Sequence, residues 1–388
     1  MNIIDLSGIY PHGRVIFSTG SFSFKSWGKA INVFNGKEGG FVYTRISNPN
    51  FESLEKKIAA LEHAEAALVF SSGMAAISTV MLTFLRPGDH VVCSRCLYGG
   101  TDDLFANKLA QWDIAASFVN TSNLQNIRDA ILQNTRMIFL ETPTNPTLEL
   151  SPIAAICGLL KKNNILVVVD NTFATPYFQR PLRLGADIAI HSATKYFNGH
   201  GDVVLGAVAT NQDLINIIHD WRSILGTNPS PHDCSLVERG LDTFHLRIAK
   251  HNSNALQLAF FLQNHHKVKR IIYPALPSHP QHTLARQQMR TKRGVVGYGA
   301  IVGIELEGGA EEIEKFLNYL AQKTCVSLCV SLGSTDTMIQ HPASMTHHSM
   351  PREERLEIGI TDELIRTSVG IEDFSEIRAA FEAALDAI

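Results

Sequence analysis

The stretch ILVVVD (residues 165–170) decides the fold, because five consecutive apolar residues end in a carboxylate. A strand packed on one face shows alternating apolar and polar residues, so an unbroken apolar run indicates a strand buried on both faces. Such strands belong to parallel sheets that helices cover on both sides. The stretch therefore predicts an α/β protein with a mostly parallel central sheet.

Similar apolar runs flank this stretch and alternate with segments of helical periodicity. Phe51, Leu54, Ile58 and Leu61 repeat at helical spacing, and the Asn-Pro-Asn before them suits a helix start. Further helices are predicted to about residue 85 and near 153–161. Further strands are predicted at 66–70, 90–93, 137–140 and 188–190.

Three regions are predicted from changes in this pattern. Residues 1–45 are rich in Gly, Ser and Phe and are expected to form an extended arm that contacts a neighbouring subunit. Residues 46–245 carry the alternating strands and helices and are expected to form the large domain. A long helix at 247–262, a strand at 300–306 and a last amphipathic helix predict a smaller C-terminal α+β domain over 246–388.

Composition excludes several classes of function. The 388 residues carry 34 Lys or Arg and 37 Asp or Glu, a formal charge of −3, so a nucleic-acid-binding surface is not expected. No basic region followed by an apolar run opens the chain, and we expect a cytoplasmic protein without a signal peptide. The longest uncharged stretch, 66–85, ends in a turn signal and is interpreted as a buried strand and helix, not a membrane span.

The six cysteines are expected to be reduced, because the chain shows no signal for an oxidising compartment. Cys93 and Cys96 form a Cys-x-x-Cys, and Cys325 and Cys329 lie four apart, so zinc has to be considered. Apolar neighbours surround both pairs and favour buried structural cysteines, and no metal is predicted.

Ligands of an open parallel sheet bind at the carboxyl ends of its strands. After the run 66–70 come Ser72, Gly73 and Met74, which open a helix and could present free N–H groups to a phosphate, although a tight turn gives the same pattern. Asp170 follows the run 165–169 and could also be a helix cap or turn residue. Lys195 follows the run 188–190 and taken alone would be a surface charge.

The spacing of Asp170 and Lys195 favours a shared site. They lie 25 residues apart, about one crossover unit, so both can face one crevice. A lysine that bonds an aldehyde and a carboxylate that keeps a pyridine nitrogen protonated are the pair that pyridoxal 5'-phosphate (PLP) needs. Ser192 and Thr194 could hold its phosphate together with the helix start at Ser72. The cofactor prediction is therefore PLP.

The chain also resembles the PLP-dependent enzymes of cysteine and methionine metabolism, a family of γ-lyases, β-lyases, synthases and sulfhydrylases. The resemblance spans nearly the whole chain and implies an aspartate-aminotransferase-like fold of type I and homotetramers built from dimers that share active sites. Its motifs are YTRISNPN (43–50), FSSGMAAI (70–77), LYGGT (97–101), ETPTNP (141–146), VVDNTFATP (168–176), HSATKYFNGHGD (191–202), LPSHPQH (276–282), SLG (331–333), HPASMTH (341–347) and IRTSVGIED (365–373).

The resemblance implies a role for several residues in the cofactor site. Lys195 would bond the cofactor and move protons, and Asp170 would pair with the ring nitrogen. Tyr98 would stack on the ring and act as acid or base, where a buried aromatic is the alternative. Tyr43 and Arg45 would reach the cofactor phosphate of the neighbouring chain.

The resemblance also implies a substrate site. Arg366 would bind the α-carboxylate of an amino acid, where a surface ion pair is the alternative. Asn145, Ser331 and Leu332 would help to orient the carboxylate and the cofactor. A non-catalytic descendant that keeps the fold is the other class of function, and the presence of these residues disfavours it.

The particular substrate stays open at this point. Val330 stands where synthases and cystathionine lyases of the family commonly carry glutamate, which favours an uncharged methylthio group over the ammonium of cystathionine. Gly100 and the runs SPHDC (230–234) and LPSHPQH are instead similar to cystathionine γ-lyases, and methionine γ-lyases tend to show Lys-Asp where Arg222-Ser223 stands. We predict a carbon–sulfur lyase with methionine-like substrates slightly favoured. The alternatives are cystathionine γ- or β-lyase, cystathionine γ-synthase and O-acylhomoserine sulfhydrylase.

Overall fold

The computed structural model describes residues 13–161, 163–348 and 350–388, so the first twelve residues of the predicted arm lie outside the described residues. Its larger sheet has seven strands in the spatial order β1-β7-β6-β5-β4-β2-β3. All of them run parallel except β7, which is antiparallel to both neighbours. The strands are β1 (Ala66–Phe70), β2 (His90–Ser94), β3 (Ala115–Val119), β4 (Thr135–Glu141), β5 (Leu166–Asp170), β6 (Ile188–Ser192) and β7 (Gly206–Thr210).

Helices cover both faces of this sheet. One-turn segments of π-helix (Leu104–Lys108) and 3₁₀-helix (Leu109–Trp112 and Pro181–Leu184) lie between them. The α-helices of this part of the chain are α1 (Trp27–Phe34), α2 (Pro49–Glu62), α3 (Gly73–Phe84), α4 (Gly99–Asp103), α5 (Leu124–Ala130), α6 (Ile153–Leu160), α7 (Thr175–Phe178), α8 (Gln212–Leu225) and α9 (Pro231–Asp242).

The central strand β5 shows why its sequence is an unbroken apolar run. Val168 belongs to the core that α3 and α8 close on one face of the sheet. Val167 and Val169 belong to the core that α5 and α6 close on the opposite face. All three are buried, and burying a valine side chain stabilises the fold by about 1.5–3 kcal/mol. The predicted α/β class with a mostly parallel sheet is confirmed.

A second sheet follows in the C-terminal part of the chain, with the order β10-β11-β12-β9-β8. Its strands pair antiparallel except β10 with β11. The strands are β8 (Val268–Ile272), β9 (Ile301–Leu306), β10 (Ser327–Leu328), β11 (Met338–Gln340) and β12 (Leu364–Ser368). The helices are α10 (Phe244–Leu262), α11 (His282–Gln288), α12 (Ala310–Lys323), α13 (Arg352–Glu357) and α14 (Phe374–Asp386).

The predicted arm differs from a simple extended segment. Its described part contains α1, which begins after Ser26, whose hydroxyl accepts a hydrogen bond from the Lys29 N–H at 3.2 Å. Trp27 and Phe34 of this helix are largely exposed. Trp27, Ile31 and Phe34 recur at helical spacing, but the helix was not predicted because the Gly- and Ser-rich residues around it give the first 45 residues weak periodicity as a whole. The boundaries of the three predicted regions stay predictions.

The uncharged stretch 66–85 forms β1 and α3, as interpreted from the sequence. No helix in the described ranges combines the length and apolarity needed to cross a membrane. Within those ranges, no three or more His, Cys, Asp or Glu side chains are grouped so that they could hold a metal ion. Cys93 and Cys96 are free and buried, and burial raises the pKa of the Cys96 thiol to about 12.

Candidate active site

The carboxyl ends of three neighbouring strands meet at one cavity. Glu141 ends β4, Asp170 ends β5 and Ser192 ends β6, and Glu141 pairs in register with Asp170. Lys195 lies in the turn after β6. A cavity of about 530 Å³ opens at this edge and reaches Arg366 on β12 of the second sheet. This is the edge at which open parallel sheets bind ligands.

The structure brings most of the predicted site residues to this cavity. Tyr43 and Arg45 are not among the residues that line it. The other thirteen line it: Ser72, Gly73, Met74, Tyr98, Asn145, Asp170, Ser192, Thr194, Lys195, Val330, Ser331, Leu332 and Arg366.

One end of the cavity presents hydrogen-bond donors that suit an anion. Ser72 caps α3, and the N–H groups of Gly73 and Met74 have no hydrogen-bond partner among the described residues. A Cβ on residue 73 would lie 3.0 Å from the Cβ of Ser192, so a larger residue there would have to push the helix start and the end of β6 apart by a few tenths of an ångström. Free N–H groups at a helix N-terminus and the hydroxyls of Ser192 and Thr194 fit a phosphate group.

Asp170 has one carboxylate oxygen held by the protein. Its Oδ1 accepts hydrogen bonds from the Thr172 N–H at 3.0 Å and the Thr172 hydroxyl at 2.6 Å. No group in the described ranges donates to Oδ2. Burial raises the pKa of Asp170, and the bonds from Thr172 and the nearby His191 oppose this shift. A cationic N–H at Oδ2, such as that of a protonated pyridine ring, would offset the burial of this charge.

Lys195 presents an amine to the centre of the cavity. Its Nζ donates a hydrogen bond to the Ser331 hydroxyl at 2.7 Å. Burial, with a smaller contribution from the Arg366 guanidinium, lowers the pKa of Lys195 to about 8. Ser331 holds a backbone φ of 95°, a strained conformation for a residue with a side chain. A larger fraction of this amine than of an ordinary lysine is therefore neutral at physiological pH, as a nucleophile or proton carrier requires.

Arg366 is a buried cation held by neutral oxygens. It is 3% exposed, and it forms no ion pair with any carboxylate of the described residues. Its Nη1 donates to Asn145 Oδ1 at 3.0 Å and its Nη2 to the Ser331 carbonyl. With the Gln340 amide oriented so that its oxygen faces the guanidinium, that oxygen accepts from Nη1 and Nε at 3.0 and 3.2 Å. Burial lowers the pKa of Arg366 to about 10, so it stays protonated at pH 7. A ligand carboxylate would complete its pairing.

Tyr98 lies at the mouth of the cavity and is 49% exposed. Its backbone N–H donates to Glu141 Oε2 at 2.8 Å. A Cβ on Gly100 would lie 2.9 Å from Cε1 of the Tyr98 ring, so glycine leaves the ring room in this position. The exposed ring is free to stack on a group bound in the cavity.

Tyr43 and Arg45 form a pair on the surface of this chain. The Arg45 guanidinium lies 5.4 Å from the centroid of the Tyr43 ring, and it also donates to the Ser223 carbonyl. Both residues are exposed or half-buried. The pair is therefore accessible to another chain, and its proposed reach into a neighbouring site stays a prediction.

Several lining residues were not singled out from the sequence. Glu141 and Thr172 lie inside the motifs ETPTNP and VVDNTFATP, so those motifs carried a signal for them. Thr346 lies in HPASMTH. Val204 carried none, because one valine of the short run Val203-Val204-Leu205 after a glycine-rich turn has no distinguishing pattern. The remaining unpredicted lining residues are Ile77, Gly99 and Phe173, and Gly100, singled out from the sequence only for the choice of substrate, also lines the cavity.

A lysine and a carboxylate at adjacent strand ends, beside free donors for a phosphate, define a PLP-dependent enzyme of fold type I. The chain belongs to the family described as Cys/Met metabolism PLP-dependent enzyme, whose family model matches residues 10–386.

Relatives of the family are similar over almost the full chain. It is 46% identical over 376 residues to an L-methionine gamma-lyase of Fusobacterium nucleatum subsp. polymorphum, covering 96% of this chain and 93% of the relative. It is 43% identical to a cystathionine gamma-lyase of Dictyostelium discoideum over 345 residues, 89% and 87% of the two chains. The crystal structure of cystathionine gamma-lyase from Lactobacillus plantarum complexed with L-serine superposes with a TM-score of 0.89 at 36% identity, covering 96% and 93%.

These findings confirm four predictions from the sequence: the family, the fold class, PLP as the cofactor, and a PLP-dependent lyase of sulfur amino-acid metabolism. The roles of individual site residues and the particular substrate stay predictions.

Proposed function

We propose that this enzyme eliminates a thiol from L-methionine or a methionine-like amino acid to give a 2-oxo acid and ammonia. The observation that carries the choice is Val330, an apolar side chain, 56% exposed, on the wall of the substrate cavity. An ammonium group at the far end of a substrate would meet valine there and gain no charge pairing. Cystathionine cleavage or synthesis is the second candidate, supported by Gly100 and by the similarity to cystathionine gamma-lyases.

The residues of the cavity fit PLP. We propose that Ser72, Gly73, Met74, Ser192 and Thr194 hold its phosphate, that Asp170 pairs with its ring nitrogen, and that Lys195 bonds it covalently. When bound, PLP supplies an electron sink that acidifies the hydrogen on the substrate's amino-bearing carbon.

Two side chains are placed to move protons. Lys195, with its pKa lowered to about 8, can accept a proton from the substrate when its Nζ is not bonded to the cofactor. Its hydrogen bond to Ser331 keeps the amine on the side of the cavity that also holds Arg366. Tyr98, at the cavity mouth, can donate a proton to the leaving sulfur. Removal of a second proton from the neighbouring carbon needs a mobile base, and the flexible lysine side chain suits both carbons.

Arg366 and Asn145 orient the substrate in this proposal. In this proposal the α-carboxylate replaces one of the neutral acceptors on the guanidinium and so receives two N–H groups, while Asn145 holds the fork through its Oδ1 at 3.0 Å. Leu332 and Val330 line the side of the cavity that the substrate's side chain would occupy.

We propose further that the enzyme works in the cytoplasm as a homotetramer built from two dimers. The accessible Tyr43–Arg45 pair and the exposed apolar residues of α1 support an assembly in which one chain completes the site of another.

The test is a side-by-side assay of PLP-loaded protein with L-methionine and L-cystathionine, measuring 2-oxo acid and thiol. We expect methionine and water to give methanethiol, 2-oxobutanoate and ammonia. Cysteine with 2-oxobutanoate from cystathionine would instead identify a cystathionine γ-lyase, and homocysteine with pyruvate a β-lyase. Turnover only with an O-acylhomoserine and a thiol together would identify a synthase or sulfhydrylase.

The substitution Val330→Glu is expected to exchange the preference between the two substrates. A carboxylate on the cavity wall would lose hydration against the apolar methylthio end and would attract the ammonium of cystathionine, so the ratio of kcat/KM for methionine over cystathionine should fall by about tenfold or more. Leu328→Glu is the matched control, because Leu328 is a partly exposed apolar residue two positions away that does not line this cavity. An equal change in both variants would show that added charge near the mouth, not position 330, sets the ratio.

A further inference from the structure

Glu141 is a buried carboxylate of the cavity wall that has a partner on each oxygen. It is 5% exposed and ends β4. Its Oε2 accepts a hydrogen bond from the Tyr98 N–H, and its Oε1 accepts one from the Asn145 N–H, both at 2.8 Å. Among the described residues, no lysine or arginine forms an ion pair with it. The carboxylate is therefore bound by two backbone dipoles rather than by a cation.

Both hydrogen bonds lead to groups of the proposed site. Tyr98 is the exposed aromatic ring at the cavity mouth, in the loop after β2. Asn145 lies in the loop after β4, and its side-chain oxygen holds Arg366 at 3.0 Å. One side chain thus links the aromatic side of the cavity to the carboxylate-binding guanidinium.

The contact needs an acceptor for each of two donors. Two N–H groups converge on Glu141, and a carboxylate offers an acceptor to each, whereas an amide offers one acceptor and one donor. Glutamine would place its NH₂ against one of the two N–H groups and leave that buried donor without a partner. Burial and the neighbouring Asp170 raise the pKa of Glu141, while the two N–H groups and Arg366 oppose the shift. The backbone donors thus offset part of the cost of burying a second carboxylate beside Asp170.

We propose that Glu141 is a positioning residue that sets Tyr98 and Asn145 together, so that leaving-group protonation and substrate carboxylate binding depend on one carboxylate. The inference rests on the proposed function for its kinetic consequences. The two hydrogen bonds that the Glu141 carboxylate accepts from the two loops do not depend on the substrate.

The experiment compares Glu141→Gln with Glu149→Gln in the PLP-loaded enzyme. Glu149 lies in the same loop, is partly exposed and pairs with Arg95 outside the cavity. Its substitution therefore changes the same functional group between the same two loops without removing an acceptor from the Tyr98 or Asn145 N–H. Two quantities are measured: hydrogen exchange of the Tyr98 and Asn145 amides, and kcat and KM for methionine and cystathionine.

We expect Glu141→Gln to speed exchange at the Tyr98 or Asn145 amide. It should also raise KM and lower kcat, with a combined loss in kcat/KM of about ten- to hundredfold. Glu149→Gln should change kcat/KM by less than about twofold. Glu141→Asp, which keeps the charge but is one methylene too short to reach both donors, should show an intermediate loss and serves if the glutamine variant folds poorly.

Two results would overturn the inference. Unchanged amide exchange in Glu141→Gln would show that the two hydrogen bonds do not restrain the loops. Faster exchange with kcat and KM within about twofold of wild type would show that the restraint does not serve the reaction. A wild-type enzyme that turns over neither substrate would refute the proposed function instead, and the exchange data would still report on Glu141.

Discussion

Replacing Lys195 with methionine is expected to lower kcat for thiol and 2-oxo acid release by at least ~10³-fold, because a positioned base and a covalent attachment are lost together. Lys195 carries the only amine among the side chains that line the cavity within the described ranges, and its Nζ is held by Ser331 at 2.7 Å. Methionine has a similar length without the charge, so the cavity wall keeps its shape. The measurement is product release by the PLP-loaded variant, together with the visible absorbance of bound cofactor.

The same substitution should also change the pH dependence of stability in cofactor-free protein. Burial lowers the pKa of Lys195 from 10.5 to about 8, so the unfolded chain binds more protons than the folded one between pH 8 and 10.5. Below pH 8 the folded protein carries the full cost of a buried ammonium, and this cost disappears as pH rises toward 10.5. At pH 7 we expect the methionine variant to be more stable than wild type by on the order of 2 kcal/mol, and the difference to shrink at high pH.

Lys56→Met provides the control, since Lys56 is an exposed lysine of α2 that lies outside the cavity. It should keep its turnover and show no gain in stability. Product release by Lys195→Met within tenfold of wild type would assign the proton transfer to another group. A stability difference that is the same at pH 7 and pH 10 would show that packing, not the charge, distinguishes the variants.

The strands that the sequence revealed are those whose side chains are buried on both faces. The run 165–169 is unbroken because Val167, Val168 and Val169 each meet a core. β3 and β7 were not predicted. The residues of β3 are half-exposed. β7 (Gly206–Thr210) is as long as β1 and β5 and fully buried, but Val208 is its one larger apolar side chain, so no apolar run marks it. Its antiparallel direction depends on the turn after Lys195, which no periodicity encodes.

The residues of the site also differ in how far they could be predicted from the sequence. Asp170 and Lys195 could be predicted because a residue that follows a parallel strand must lie at the carboxyl edge of the sheet, where ligands bind. Glu141 also follows an apolar run, but its meaning depends on two backbone N–H groups that come from different loops. A sequence shows which side chains are present, but it does not show which backbone N–H groups a side chain will contact in the fold. Arg366 could be predicted only through a family motif, because it lies on a strand of the second sheet, 171 residues after Lys195.

Replacing Arg366 with lysine is expected to lower kcat/KM for methionine by about 10²-fold, mainly through KM, because a single ammonium cannot form the two parallel hydrogen bonds of a guanidinium fork. Arg366 stays charged at neutral pH, with a pKa of about 10, and the described residues offer it only the neutral oxygens of Asn145, Ser331 and Gln340. In the proposed function, a substrate carboxylate is the charged partner of this buried cation. The measurement is steady-state kinetics of wild type and variant.

The substrate itself supplies the sharper test of this role. Methionine amide has the side chain and amino group of methionine but no carboxylate, so wild type should handle it far less well than methionine, whereas Arg366→Lys should distinguish the two poorly. Arg355→Lys is the matched control, because Arg355 is also buried but pairs with Asp362 outside the cavity, and it should keep the wild-type preference for the carboxylate. If Arg366→Lys slows both substrates by the same factor, then the arginine holds the cavity together through Asn145 and Ser331, and the substrate's carboxylate is bound elsewhere.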